Sequence, residues 1–346
     1  MEFTARVLIF VELILGISGV GGCLLHRQQS APLDIATSSA PLVTSNPATS
    51  SAPAVPSTSP RASTRSHVTV PSSNSRRTSH AGVPSVKDEL LVPSTVPLSP
   101  SLLPSAECLA LQRIISARYA GRVPMAWGNR IKGIRTHYTA QQKCLALTFD
   151  ACGNGRKSNG YDEELISYLR QEHIPATLFI SGIWADAHPD KLLSLTADPL
   201  FEIENHGLRH LPCSVNSHSA YHIIGTRDVA DVVLEVEGNA EKLAKLTGRK
   251  PCLFRDATAM YDDVALDIIT DLGYTVIGYS ILGDAGATFS AAQVKAALLT
   301  AKPGDIIICH MNHPEGDTCA GIQAAIPLLQ AQGYTFVKLD EVLPVR

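Results

Sequence analysis

Beyond Cys108 the sequence alternates short apolar runs with longer segments that carry apolar residues at three- and four-residue spacing. This alternation is typical of β-α units, in which a strand is followed by a helix that packs on the sheet. Strands are predicted at 145–149, 176–180, 201–205, 252–255, 275–279, 305–310 and 335–338. Seven strands interleaved with helices predict an α/β fold and a closed or partly closed parallel barrel. In such barrels the chemistry collects where strands end and loops begin.

Helices are predicted between these strands, at 162–172, 228–246, 262–272 and 291–300. Ser290 followed by Gln293 fits a capping box at the start of the last of these helices. Gly273 and Gly333 are expected to end the helices that precede them.

The chain before this pattern has a different composition. Residues 28–105 are dominated by Ser, Thr, Pro and Ala and show almost no apolar periodicity. Such a segment cannot bury enough surface to offset its ordering entropy. We therefore expect 28–105 to be a disordered linker, either a tether that gives reach or a plain spacer, and 106–346 to fold alone as one domain.

Residues 1–27 are predicted to be a signal peptide or membrane anchor. One early cation, Arg6, precedes an apolar run from 7 to 22 that is interrupted by Glu12, and this run is short for a bilayer span. The four residues ending at Cys23 resemble a bacterial lipoprotein processing box, in which Cys23 would be lipidated. We therefore expect an extracytoplasmic protein that is membrane-anchored, a lipoprotein or secreted.

The net charge and the cysteine content limit which partners and which cysteine sites are expected. The formal net charge is -3 and the pI is about 6.5, so the chain offers no long-range attraction for phosphate backbones, and no nucleic-acid partner is expected. Some of the eight cysteines could pair outside the cytosol. No CxxC spacing occurs, which argues against a structural zinc knot.

Two histidines four residues apart follow the predicted strand at 201–205. His206 and His210 face the same way if the segment makes a helical turn, and this is a metal-ligand spacing. Such a pair can arise by chance among 12 histidines. Its position at a strand end, beside Glu204 and Asn205, favours a ligand role.

Three further polar residues, Asp150, Arg255 and His310, each end an apolar strand. A carboxylate such as Asp150 is costly to bury unless it is paired. Arg255 would hold it ionised through a charge-assisted hydrogen bond, the alternative being a solvated residue at the rim. His310 would be a titratable group of the site, although a core histidine with one backbone partner would give the same pattern.

Together these motifs, between residues 144 and 338, resemble those of the NodB-type polysaccharide deacetylases, carbohydrate esterase family four. The positions that match the family's motifs are Thr148, Phe149, Asp150, His206, His210, Arg255, Asp284 and His310. The resemblance implies that 106–346 is a deacetylase-like catalytic domain with a distorted (β/α) barrel of about seven parallel strands. It also implies a divalent metal, usually zinc, held between two histidines and an aspartate.

The sequence departs from the family at the residue after Asp150. The family's second, metal-binding aspartate is Ala151 here, which indicates a divergent subgroup that lacks one ligand. Asp150, Asp162 or Asp256 would supply the missing oxygen, and Asp150 or a water is favoured because neither needs an unproved loop geometry. We therefore predict a divalent metal, zinc by the family resemblance, weakly held by the two histidines and Asp150.

The implied reaction is removal of N-acetyl or O-acetyl groups from an amino-sugar polysaccharide such as peptidoglycan or a chitin-like glycan. Asp150 would take the proton of the attacking water, and Arg255 would position Asp150. His310, oriented by Asp284, would protonate the departing amine.

Three other functions are compatible with the same residues. Without the second aspartate, the domain would be a catalytically impaired, tethered carbohydrate-binding envelope protein. Cys152 activated by a histidine would give a thiol hydrolase that alkylation destroys and chelators leave untouched. A metal-independent amidohydrolase of the same fold would act on a small cyclic amide. The identity of a glycan substrate would be set by the loops 211–227 and 311–318.

Overall fold

The structure, a computed structural model, describes residues 104–153 and 158–343. Ten strands and nine helices occur within these residues. The strands are β1 (Trp127–Gly128), β2 (Cys144–Ala151), β3 (Ala176–Ile180), β4 (Phe201–Asn205), β5 (Leu253–Phe254), β6 (Tyr261–Asp262), β7 (Thr275–Val276), β8 (Ile281–Leu282), β9 (Ile306–His310) and β10 (Thr335–Val337). The helices are α1 (Ala106–Arg118), α2 (Glu163–Gln171), α3 (Gly182–Ala187), α4 (Pro189–Thr196), α5 (Val229–Thr247), α6 (Asp263–Asp271), α7 (Ala291–Leu298), α8 (Thr318–Ala331) and α9 (Leu339–Val342).

Eight of the strands form one parallel sheet. Its order is β7-β5-β4-β3-β2-β9-β8, and β10 pairs with the start of β2. The sheet curls into a half-barrel, which confirms the predicted distorted (β/α) barrel of about seven parallel strands. β1 and β6 form a separate antiparallel pair. The short strand β8 was not predicted from the sequence.

Three of the helices, α2, α5 and α6, start at aspartate caps. Asp162 accepts a hydrogen bond from the amide of Leu165, and Asp228 and Asp262 cap α5 and α6 in the same way. The predicted capping box at α7 is present, because the amide of Ser290 donates to the Gln293 side chain over 2.9 Å. These local signals place the predicted helices within two residues of their observed ends.

Apolar side chains fill both faces of the sheet. On the outer face, strand residues pack against α2, α4, α7 and α8, and the largest of them include Leu147, Phe149 and Leu178. On the inner face, Phe179, Ile277 and Ile306 belong to a smaller buried cluster. Burial of both faces explains why the parallel strands read as near-continuous apolar runs.

The predicted signal segment 1–27 and nearly all of the linker 28–105 lie outside the described residues, and those predictions therefore stay predictions. Within the described ranges, no helix combines the length and apolarity needed to cross a bilayer. The seven cysteines of those ranges are all free thiols, whereas Cys23 lies outside them.

Candidate active site

The candidate site lies where the adjacent strands β2 and β9 end. Asp150 and His310 are direct Cα partners in the parallel register of these strands. Their side chains therefore start from neighbouring positions at the carboxyl edge of the sheet, and both line a cavity of about 530 Å³. This is the edge at which parallel barrels carry their chemistry.

Asp150 is held by a buried ion pair with Arg255. The Nη1 atom of Arg255 donates to Oδ1 of Asp150 over 2.7 Å and to Oγ1 of Thr148 over 2.9 Å. Nη2 donates to the carbonyl of Gly278, and the guanidinium lies 4.3 Å from the ring centroid of Phe179. Arg255 is fully buried, so it serves the site and is not a solvated rim residue. One carboxylate oxygen of Asp150 remains outside this ion pair.

His206 is fixed in one tautomer by the backbone. Its Nδ1 lies 2.8 Å from the carbonyl oxygen of Arg255, and because a carbonyl only accepts, Nδ1 must carry the proton. In the neutral imidazole, Nε2 therefore presents a lone pair. This atom lies 3.8 Å from Oδ2 of Asp150 and 3.6 Å from Sγ of Cys152.

His210 is buried, yet neither of its ring nitrogens has a hydrogen-bond partner among the described residues. Its ring lies 5.0 Å from that of His206, at 64°. The backbone of His210 has φ of 58°, a costly left-handed conformation for a residue with a side chain. Such strain persists only where the surroundings enforce it, and here it turns an unsatisfied imidazole toward the site.

The loop between the two histidines is anchored to α5 by Glu235. Oε1 of Glu235 accepts from the amides of Arg209 and Leu211 over 2.9 and 3.1 Å. A Cβ atom at Gly207 would lie 2.5 Å from the same oxygen, and Gly207 has φ of +84°. A residue with a Cβ atom would therefore clash with Glu235 at this position, which explains why position 207 is glycine.

Asp284 binds His310 at two points. Its Oδ1 lies 2.8 Å from Nδ1 of His310, and its Oδ2 accepts from the His310 amide over 2.7 Å and from Thr318 over 3.0 Å. Burial opposes charge on the imidazole, but the adjacent carboxylate outweighs it and holds the pKa of His310 well above its usual range. Asp284 thus fixes the orientation of His310 and favours its protonated form.

Cys152 lies beside the two histidines. The sequence analysis considered it as a nucleophile activated by a histidine and not as a metal ligand. The ligand atoms of Cys152, His206 and His210 all lie within 4.8 Å of one another, and all three side chains are buried. Burial alone would raise the pKa of the thiol, but the neighbouring imidazoles, His210 first, lower it well below its usual range. The spacing between Asp150 and Cys152 indicates this position in the sequence. Residues two apart in an extended chain face the same side, so Cys152 faces the side of Asp150.

The other residues considered for the missing oxygen are engaged elsewhere. Asp162 caps α2, and Asp256 accepts from the amides of Cys213, Thr258 and Met260. Neither belongs to the group of mutually close ligand atoms found among the described residues, and neither does Asp150. Two imidazoles and a thiolate form a donor set that suits zinc and similar divalent metals.

The predicted specificity loops line part of the rest of the cavity. Tyr221 and Ile223 come from the loop 211–227 and His313 comes from the loop 311–318. Tyr279 and Leu282 add apolar surface beside His310. An open cleft with an apolar wall and a polar floor fits a sugar chain presenting one polar substituent to the floor.

Comparison with known proteins shows which family part of the chain is similar to. The polysaccharide deacetylase family model matches residues 137–277. The peptidoglycan-N-acetylmuramic acid deacetylase PdaA of Bacillus subtilis is 25% identical over 212 residues, which cover 59% of this chain and 72% of that protein. A peptidoglycan-N-acetylglucosamine deacetylase of Bacillus cereus is 26% identical over 206 residues, covering 58% of this chain and 89% of that protein.

A solved structure shares the fold. It is that of a carbohydrate esterase family four pseudoenzyme from Bacillus anthracis, which matches with a TM-score of 0.50 and 18% identity, over 60% of this chain and 68% of that one. The family match, the two relatives and this fold agree with the motifs found in the sequence. Residues 137–277 therefore match the polysaccharide deacetylase family, whose members are hydrolases that act on carbon-nitrogen bonds other than peptide bonds.

Proposed function

We propose that this chain is a metal-dependent hydrolase that removes N-acetyl groups from an extracytoplasmic amino-sugar polysaccharide. One observation carries the proposal. A carboxylate fixed by an arginine and an imidazole fixed by a carboxylate lie side by side at the floor of one cavity. These are the base and the acid that amide hydrolysis requires.

Asp150 is the proposed base. Arg255 occupies Oδ1, so Oδ2 is the oxygen that would take a proton from the attacking water. The arginine also stops the carboxylate from rotating, which keeps Oδ2 at the cavity. A positioned base of this kind contributes a rate factor of about 10² to 10⁴.

His310 is the proposed acid. Its Nδ1 is bound to Asp284, so Nε2 is the nitrogen that would deliver a proton to the departing amine. A raised pKa keeps the imidazolium populated at neutral pH, where the leaving amine needs that proton. The proximity of a base and an acid on neighbouring strands allows both proton transfers in one cavity.

A divalent cation between His206 and His210 would polarise the amide carbonyl and acidify water when bound. The two imidazoles fit this role. His206 keeps its proton on Nδ1, so its Nε2 can bind a cation, and His210 has two unsatisfied nitrogens. The chain's own contribution is to keep both rings buried and oriented by Arg255 and the Glu235 anchor.

The relatives support the substrate class. They are named for deacetylation of N-acetylmuramic acid and N-acetylglucosamine in peptidoglycan, so we propose peptidoglycan as the first substrate to test, followed by chitin oligomers. Such polymers lie outside the cytoplasm. The proposal therefore includes export through residues 1–27, with the chain anchored there, lipidated at Cys23 or released.

The test measures acetate released by the intact chain from peptidoglycan and from N-acetylated chitin oligomers. We expect acetate from at least one polymer, and a loss of about a hundredfold or more in Asp150→Asn. Asp190→Asn, which changes an exposed carboxylate on α4 outside the cavity, should leave the rate unchanged. Glycan binding without acetate release would overturn the proposal in favour of a binding protein.

A further inference from the structure

We propose that Cys152 is the third protein ligand of the metal, and that it makes the site selective for thiophilic cations such as zinc. The proposal deepens the proposed function, since it rests on the metal site of that function and names how this chain completes it. It replaces Asp150 as the residue expected to substitute for the missing aspartate.

The distance between Cys152 and His206 is the one a shared metal requires. Zinc bonds of about 2.3 Å to sulfur and about 2.0 Å to nitrogen, meeting near the tetrahedral angle, place the two ligand atoms about 3.5 Å apart. Sγ of Cys152 lies 3.6 Å from Nε2 of His206. A neutral His206 presents its lone pair at this atom, because the carbonyl of Arg255 keeps the proton on Nδ1.

His210 supplies a second and independent observation. A hydrogen bond between thiol and imidazole would account for Cys152 and His206 alone. It would leave His210 with two unsatisfied nitrogens in a site where the residue is 5% exposed, and each unpaired buried nitrogen is unfavourable. A cation bound by all three ligand atoms, which lie within 4.8 Å of one another, would give one of these two nitrogens a partner.

The backbone holds Cys152 in place before any ligand arrives. Its carbonyl oxygen accepts from Oγ of Ser181, and the amide of Gly153 donates to the carbonyl of Ser158 over 2.8 Å. A Cβ atom at Gly153 would lie 2.8 Å from the amide nitrogen of Trp184, so only glycine fits at this position. Preset ligands of this kind bind metal more firmly than mobile ones.

Strand alternation explains why position 152, and not 151, faces the metal. Asp150 and Cys152 both line the cavity. Ala151 is fully buried in the apolar cluster on the other face of the sheet, with Leu147 and Phe149. With the thiolate as ligand, Asp150 remains free to act as the base, which removes the conflict between its two roles.

A thiolate changes which metal the site prefers. Carboxylate, carbonyl and water ligands suit magnesium, calcium and manganese, whereas cysteine selects zinc and related soft cations. Two histidines and one cysteine leave a fourth position open, as catalytic zinc sites do. The site should therefore bind zinc or cobalt tightly and discriminate against magnesium and manganese.

The test uses the intact chain without substrate. The purified protein is freed of metal and titrated with Co²⁺ while its absorption spectrum is recorded, because a thiolate bonded to cobalt gives an intense near-ultraviolet charge-transfer band. We expect this band in the parent protein at one equivalent of Co²⁺, and its loss in Cys152→Ser. Cys319→Ala, which removes another buried thiol outside the cavity, should keep it.

Cys152→Asp tests whether the charge-transfer band comes from sulfur or from any ligand at position 152. A carboxylate can replace the thiolate as donor without sulfur, so we expect Co²⁺ to bind but without the charge-transfer band. In Cys152→Ala the affinity for zinc should fall about 100-fold, since even partners that only orient ligands cost about 10- to 100-fold. Because the parent spectrum needs no variant, the test survives if a variant fails to fold.

Each result decides one question. Co²⁺ bound by the parent without a charge-transfer band would overturn Cys152 as ligand, whether or not the protein releases acetate. The same conclusion would follow if bound zinc failed to protect Cys152 from alkylation, which is the behaviour of a nucleophilic thiol. A band without acetate release would keep Cys152 as ligand and overturn only the proposed deacetylation.

Discussion

The Sγ atom of Cys152 lies 3.6 Å from the Nε2 atom of His206 at the floor of the cavity, and the unsatisfied ring of His210 lies beside them. Under the proposal above, this contact supplies a third metal donor beside the two histidines. An alanine at position 151 is then compatible with metal binding and catalysis.

Replacing His310 tests the proposed acid. We expect His310→Gln to lower the turnover number by about a hundredfold or more, because a general acid acts at the chemical step. Zinc content, measured by elemental analysis, should stay at the parent value, since His310 is not in the group of close ligand atoms. Loss of zinc in this variant would instead make His310 a ligand.

Asp284→Asn tests how His310 is held. All groups that bind the Asp284 side chain are donors: the ring and amide of His310, the hydroxyl of Thr318 and the amide of Gly286. An asparagine would turn its NH₂ group toward two of them, which we expect to cost about 1–3 kcal/mol of stability. Turnover should fall as well, and the alkaline limb of the pH profile, where the imidazolium of His310 loses its proton, should move to lower pH because the imidazole loses its carboxylate partner. An unchanged profile would contradict the positioning role.

The ion pair between Asp150 and Arg255 predicts a non-additive effect on stability. Arg255→Met leaves a buried carboxylate without its partner and should cost about 3–5 kcal/mol. Asp150→Asn in the same chain removes that charge, so the double variant should be more stable than Arg255→Met alone. Urea denaturation of the parent, both single variants and the double variant gives the coupling energy. Strict additivity would show that the two side chains do not depend on each other.

Glu202 predicts a pH dependence of stability that is separate from catalysis. Burial, followed by repulsion from Glu204, raises the pKa of Glu202 from 4.5 to about 8. The folded protein therefore keeps this proton more tightly than the unfolded chain. The stability it contributes is fully present below pH 4.5 and is lost as the pH rises toward about 8.

We therefore expect Glu202→Gln to flatten this dependence, since a neutral amide keeps an oxygen for Thr177 and has no proton to lose. The free energy of unfolding is to be measured by urea denaturation at about pH 5 and about pH 8. The parent should lose more stability than the variant between the two. An equal loss would show that Glu202 titrates normally.

Much of this architecture was readable from local sequence. Continuous apolar runs ending on Asp150 and His310 predicted buried parallel strands, and the structure pairs them in register. The Ser290–Gln293 capping box marked where α7 begins. These features depend on residues close in sequence, so a single chain carries enough information to predict them.

The site depends on contacts between residues far apart in sequence, and these contacts could not be predicted from the sequence. Asp284 reaches His310 because the two-residue strand β8 pairs with β9, and so short a strand has no periodicity to detect. Cys152 gains its role from His206, 54 residues away, and from a backbone anchored by Ser181. Such juxtapositions follow from tertiary packing, whereas the sequence alone allowed the thiol to be a nucleophile or an inert core residue.

The most direct test of the whole account is acetate release from peptidoglycan by the intact chain, measured as purified, after treatment with a chelator, and after Zn²⁺ is restored. The account predicts acetate release as purified, its loss on chelation and its recovery with Zn²⁺. Mg²⁺ added instead should not restore it. Acetate release that persists after complete removal of metal would contradict the account, as would a zinc-loaded chain that binds the polymer and releases no acetate.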